Sequence, residues 1–133
     1  MPGSFLDTNI LVYQLSGNIE KADKAAALVR EGGVISVQVL NEFANVARRK
    51  AGLEWGEVRQ LTKTLGSLLE IIPLDADMHE HGLRLCERYG FSLYDGMIVA
   101  AALSSSCDTV WSEDMHTGLE VEGKLIIRNP FTG

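Results

Sequence analysis

Two cysteines in 133 residues, Cys86 and Cys107, are too few to staple a fold. Both fall within helical patterns and read as buried free thiols. A chain of this length buries roughly 65–70% of the surface it exposes when unfolded, so it needs neither disulfide nor structural metal. No apolar run approaches the roughly 20 residues that cross a membrane. The opening MPGSFLDTN has no basic stretch ahead of an apolar one, so no signal peptide is expected. Internal repeats, linkers and low-complexity tracts are also missing. A single domain over residues 1–133, in the cytoplasm, is the expectation. Positive charge is scarce as well: 12 Lys and Arg stand against 18 Asp and Glu, for a net charge of -6. That balance argues against holding nucleic acid by bulk electrostatics. It leaves room for a local site where metal ions offset the acids.

Apolar strand-like runs alternate with longer helical patterns. Ser4–Asp7 reads as a strand and Asn9–Leu15 as a short helix. Ile19–Glu31 is an amphipathic helix closed by Gly32-Gly33. Val34–Ser36 is a strand, and Val37–Ala51 a helix with Val39, Leu40, Phe43, Val46 and Ala47 on one face. Glu54–Leu69 is a helix, Ile71–Leu74 a strand, and Asp75–Tyr89 a helix closed by Gly90. Ser92–Ser105 is the most apolar helix. Thr109–Trp111 and Lys124–Ile127 are strands. This cadence predicts an α/β fold with a mainly parallel sheet. In such sheets function gathers at the carboxyl ends of the strands.

Four acids interrupt core-like sequence: Asp7, Glu42, Asp95 and Asp114. Each has an ordinary alternative role. Asp7 can cap a helix, although Thr8 or Asn9 can do so too. Glu42, with Val39 and Val46 at i-3 and i+4, can lean over the edge of an apolar stripe. Asp95 ends Ser92-Leu93-Tyr94-Asp95, a capping-box pattern, yet Ile98, Val99 and Ala102 put it on the buried face. Asp114 can be a polar loop residue, with Glu113 as a rival ligand and Ser112 placed to orient a carboxylate. Singly none is specific. Jointly they occupy equivalent places at one sheet edge. Two carboxylates about 4 Å apart repel by roughly 4 kcal/mol at an effective dielectric of 20. Hard divalent cations such as Mg²⁺ or Mn²⁺ relieve that repulsion and retain waters for chemistry.

The stretches FLDTNILVY (5–13), SVQVLNEFANVARRK (36–50), FSLYDGMIVAAAL (91–103), WSEDM (111–115) and NPF (129–131) resemble the PIN-domain ribonucleases. The resemblance is greatest to the VapC-type toxins of toxin–antitoxin pairs, and it spans essentially the whole chain. It implies a three-layer α/β/α fold. It implies that Asp7, Glu42, Asp95 and Asp114 bind Mg²⁺ or Mn²⁺ and carry catalysis, with Thr8 or Ser112 as a supporting hydroxyl. Ser112 stands where the family often has threonine. The implied activity is endonucleolytic cleavage of single-stranded RNA. The implied partners are a cognate antitoxin and a second copy of the chain.

Other residues are less telling. Arg48, Arg49 and Lys50 sit well at a helix C-terminus and also lie about two turns from Glu42, within reach of RNA or antitoxin. Tyr94 can stack on a base or pack, and His116 can touch substrate or lie in a surface loop. His79 and His81, two apart on a helix, face different ways and make a poor metal pair. Two rival functions are a PIN-like interaction scaffold without activity and a phosphorylation-dependent receiver domain. A receiver needs paired acids after its first strand and a late lysine beside a phosphorylatable Asp. Only one acid ends the first strand here, and Lys124 is the only late lysine.

Overall fold

The computed structural model describes residues 3–132. Six strands form one sheet: β1 (Ser4–Leu6), β2 (Val34–Ser36), β3 (Glu70–Ile72), β4 (Thr109–Trp111), β5 (Glu120–Val121) and β6 (Leu125–Arg128). Their order is β3-β2-β1-β4-β6-β5. All neighbours pair in parallel except β5 with β6. Buried Phe5, Leu6, Ile35 and Val110 fill the centre, as expected for parallel strands covered on both faces.

Among the described residues six α-helices lie between β1 and β4: α1 (Thr8–Val12), α2 (Ile19–Arg30), α3 (Val37–Arg49), α4 (Trp55–Leu68), α5 (Ala76–Tyr89) and α6 (Leu93–Ser104). The steps from β1 to β2 and from β2 to β3 run one way across the sheet; the step from β3 to β4 runs back. Right-handed crossovers therefore place α1 to α4 on one face and α5 with α6 on the other. The expected α/β/α sandwich results. The direction of travel reverses between β1 and β4, so the carboxyl ends of these two strands form the crevice where α/β sheets bind ligands.

Several boundaries differ from the expected ones. Asp7 lies outside β1 and caps α1 itself. The expected helix over 9–15 tightens after Val12 into a 3₁₀ turn, Tyr13–Leu15, as helix ends often do. The third strand begins one residue early and stops at Ile72, before Pro73. β5 was not expected. Glu122 and Gly123, both at positive φ (53° and 67°), make the tight turn that folds it against β6. Cys107 is buried, but in the connection after α6 rather than inside a helix; Cys86 on α5 is only half-buried. Among the described residues, no helix is long and apolar enough to cross a membrane.

Candidate active site

β1 runs Ser4-Phe5-Leu6 through the core and delivers Asp7 at its carboxyl end. The Asp7 side chain is buried, 6% exposed. Its Oδ1 accepts from the Thr8 backbone N–H at 2.7 Å. Its Oδ2 accepts from the Ser112 hydroxyl at 2.7 Å and from the Asn9 amide at 3.4 Å. Capping and site placement thus coexist in one carboxylate. Ser112, wholly buried, directly follows β4, and its oxygen also accepts from the Asp114 and Met115 N–H groups at 3.3 Å. One hydroxyl therefore ties the end of β1 to the loop that carries Asp114.

Glu42 is in the second turn of α3, whose first turn is capped by Ser36 at the end of β2. The Thr8 hydroxyl donates to Glu42 Oε1 at 2.6 Å, and Glu42 lines the cleft. Asp95 lies in the first turn of α6. Its N–H donates to the capping Ser92 hydroxyl at 3.3 Å. Among the described residues its carboxylate makes no return bond to the Ser92 backbone, so only half of the expected capping box forms. Asp114 is exposed at the rim, unlike the other three acids.

All four acids line one open cleft of about 640 Å³. Thr8, Asn9, Tyr13, Asn45, Tyr94 and Glu113 also contribute to its walls. The charges act on one another. Burial raises the Asp7 carboxyl from 3.8 to about 6, against the Ser112 and Thr8 hydrogen bonds, and the charges of Asp95 and Glu42 push the same way. Burial also raises Asp95, opposed by Ser92, with Asp114 adding repulsion and His116 relieving it. Such crowding of negative charge suits a cation.

Among the described residues, no three Asp, Glu, His or Cys side chains already enclose a metal-sized point. The donors are nevertheless all oxygens, on an open cleft of about 640 Å³. That arrangement fits Mg²⁺ or Mn²⁺, which hold few protein ligands and keep several waters.

Glu113 is engaged elsewhere. Tyr13 Oη and Lys21 Nζ both donate to its carboxylate at 2.5 Å. The Lys21 ammonium, then the Tyr13 hydroxyl, hold the Glu113 carboxyl below its ordinary value. Glu113 N–H donates to Asn9 Oδ1 at 3.2 Å. Asn9, Tyr13 and Lys21 are thus parts of the site's frame that the sequence patterns did not single out. The Asp-Thr-Asn run after β1 was the one signal, and it pointed to Asn9 alone. Tyr94 is 62% exposed at the cleft edge. His116 stacks on Phe91, with ring centroids 5.9 Å apart, and does not line the cleft. Arg48 and Arg49 do not line it either; Arg48 donates to the Leu53 carbonyl at 3.0 Å. His81 pairs with Glu122 at 3.0 Å, away from the four acids.

The fold and cleft define a class: an α/β/α domain whose carboxylates gather at the carboxyl edge of a parallel sheet. The PIN domain model matches residues 4–116, which includes all four acids, and the chain belongs to the PIN domain family. No curated protein matches it in sequence. Among solved structures it is similar to a toxin–antitoxin complex from Klebsiella pneumoniae, with 23% identity over 96% of this chain and 98% of that one, at a TM-score of 0.72. It is also similar to Mycobacterium tuberculosis VapC20, a toxin that cleaves the sarcin–ricin loop, with 17% identity over 84% and 89% and a TM-score of 0.68. A third likeness is to the DNA-bound VapBC of Salmonella typhimurium, with 21% identity over 98% and 99% and a TM-score of 0.66. At these identities the likeness is one of fold.

Proposed function

We propose that this protein is a Mg²⁺- or Mn²⁺-dependent endoribonuclease, the toxin of a toxin–antitoxin pair, acting in the cytoplasm on single-stranded RNA. The observation that carries the reading is the shared cleft of Asp7, Glu42, Asp95 and Asp114, with hydroxyls of Ser112 and Thr8 aligning the first two. A cation bound there would supply hydroxide from water at neutral pH and neutralise charge on the phosphate. The chain's own part is orientation. Ser112 and the Thr8 N–H fix Asp7, so that its position is set before an ion arrives. Thr8 fixes one oxygen of Glu42. Asp95, in the first turn of α6, contributes its carboxylate to the cleft wall. Asp114 is exposed to solvent at the open rim, where an incoming substrate would meet it. In-line hydrolysis would leave a 5′-phosphate and a 3′-hydroxyl.

A cognate antitoxin is the expected partner, in keeping with the toxin–antitoxin and VapBC complexes among the similar structures, and a homodimer is the proposed assembly. Membership of the PIN family sets the receiver reading aside. The test is cleavage of several single-stranded RNAs in Mn²⁺, wild type beside Asp95→Asn. That substitution keeps the backbone cap and removes one charge. We expect at least a 100-fold loss of rate. Equal cleavage by both proteins would refute the site, and no cleavage by the wild type would favour an interaction scaffold.

A further inference from the structure

The cleft repels the backbone of RNA until a cation fills it, and the chain as a whole carries -6. Positive charge is nevertheless concentrated in one place. Residues 48–63 hold Arg48, Arg49, Lys50, Arg59 and Lys63 against only Glu54 and Glu57. Those two acids are occupied in the capping box that starts α4. The cations are arranged as a path. Asn45 lines the cleft, and Arg49 stands four residues on, hence on the same face of α3 and one turn away. Gly52, at φ +68°, reverses the chain into α4. There Trp55, Arg59 and Lys63 recur every four residues and form a stripe about 12 Å long. Trp55 is 61% exposed, and the Arg48 guanidinium lies 5.0 Å from its ring centre, bridging the two helices.

An exposed aromatic face followed by regularly spaced cations is the arrangement that holds single strands: bases stack and phosphates pair with the charges. We infer that Arg49, Trp55, Arg59 and Lys63 form a binding stripe for single-stranded RNA that leads from the acid cleft across α3 and α4, with Arg48 bracing Trp55. The inference rests on the nuclease reading for its substrate. It differs from that reading in needing no metal.

The probe is a fluorescently labelled 20-nucleotide single-stranded RNA, bound in EDTA at several salt concentrations. The triple variant Arg49→Gln/Arg59→Gln/Lys63→Gln should lower the slope of log affinity against log salt by about 2, since each phosphate contact contributes about 0.7. Trp55→Ala should weaken binding about tenfold at constant slope, within the range for one stacked base. Arg84→Gln, on α5 in the opposite layer, should change neither. All these positions lie on the surface, and thermal melting checks that each variant is folded; Arg59→Glu alone serves if the triple variant is not. Unchanged affinity and slope in the folded triple variant would overturn the stripe, as would an equal effect of Arg84→Gln. If the wild type binds through the stripe yet cuts no RNA in Mn²⁺, the nuclease reading falls and the stripe stands. If the wild type cuts and the triple variant cuts the 20-mer with unchanged kcat/KM, the stripe falls and the nuclease stands.

Discussion

The Asp7 carboxylate closes α1 and takes the Ser112 hydroxyl, yet burial raises it from 3.8 to about 6. Because its folded value exceeds its unfolded one, the native state holds the extra proton. The stabilisation this gives is complete below about pH 4 and is lost as pH rises through about 6. Above that, an ionised Asp7 costs the metal-free fold up to about 3 kcal/mol. Asp7→Asn should therefore raise the melting temperature in EDTA at pH 8 by about 3–10 °C, by roughly half as much at pH 5, and little near about pH 3. It should also abolish RNA cleavage. A variant that melts no higher than wild type at pH 8 would show that Asp7 carries no such strain. At this scale the sequence was informative about identity and silent about pairing. Asp7, Glu42 and Asp95 stood out because charge interrupted apolar periodicity. Asp114 and Glu113 are adjacent in a loop with no periodicity, and hydrogen bonds with Lys21, Tyr13 and Asn9, which join residues 92, 100 and 104 positions apart, draw Glu113 to the frame.

Among the elements, α6 places Asp95, and its position is set by how closely it meets α5. A Cβ built on Gly96 would lie 2.4 Å from Cys86 Sγ and 2.8 Å from the Gly82 carbonyl oxygen. The carbonyl cannot move aside as a flexible side chain can, so Gly96→Ala must push the helices apart. We expect a loss of about 1–3 kcal/mol in urea unfolding, together with weaker Mn²⁺ binding because Asp95 moves with its helix. Undiminished stability and unchanged metal affinity in that variant would show that the contact does not set Asp95. Helices of twelve or more residues were legible from their period and caps, as with Ser36, Asp75, Ser92 and Gly90. β5 was not. Two residues are too few to show alternation, and Glu-Gly is a weaker hairpin signal than Asn-Gly. The approach of Gly82 to Gly96 was equally hidden, since it depends on how two helices cross.

For the whole molecule, chain order carried most of the decisive step. In a parallel α/β sheet the carboxyl ends of the strands fall on one edge, which draws positions 7, 42 and 114 together; position 95, at the start of the second helix after β3, joins them through the packing of α6 on α5. What order does not reveal is the line of charge at positions 49, 59 and 63, which becomes a stripe only once α3 and α4 are placed. The same convergence makes the metal-free protein electrostatically unfavourable, and ion binding should be visible as stability. Mn²⁺ at about 100 times its Kd should add roughly 2.7 kcal/mol, which for a chain of this size raises the melting temperature by about 8–13 °C. The rise should reverse with EDTA and be absent in Asp7→Asn, whose metal-free form already melts higher at pH 8. It should shrink as pH falls through about 6, since protons and Mn²⁺ then compete for Asp7. A Mn²⁺ shift that persists undiminished in Asp7→Asn would place the ion elsewhere on the molecule, whatever the activity of the wild type.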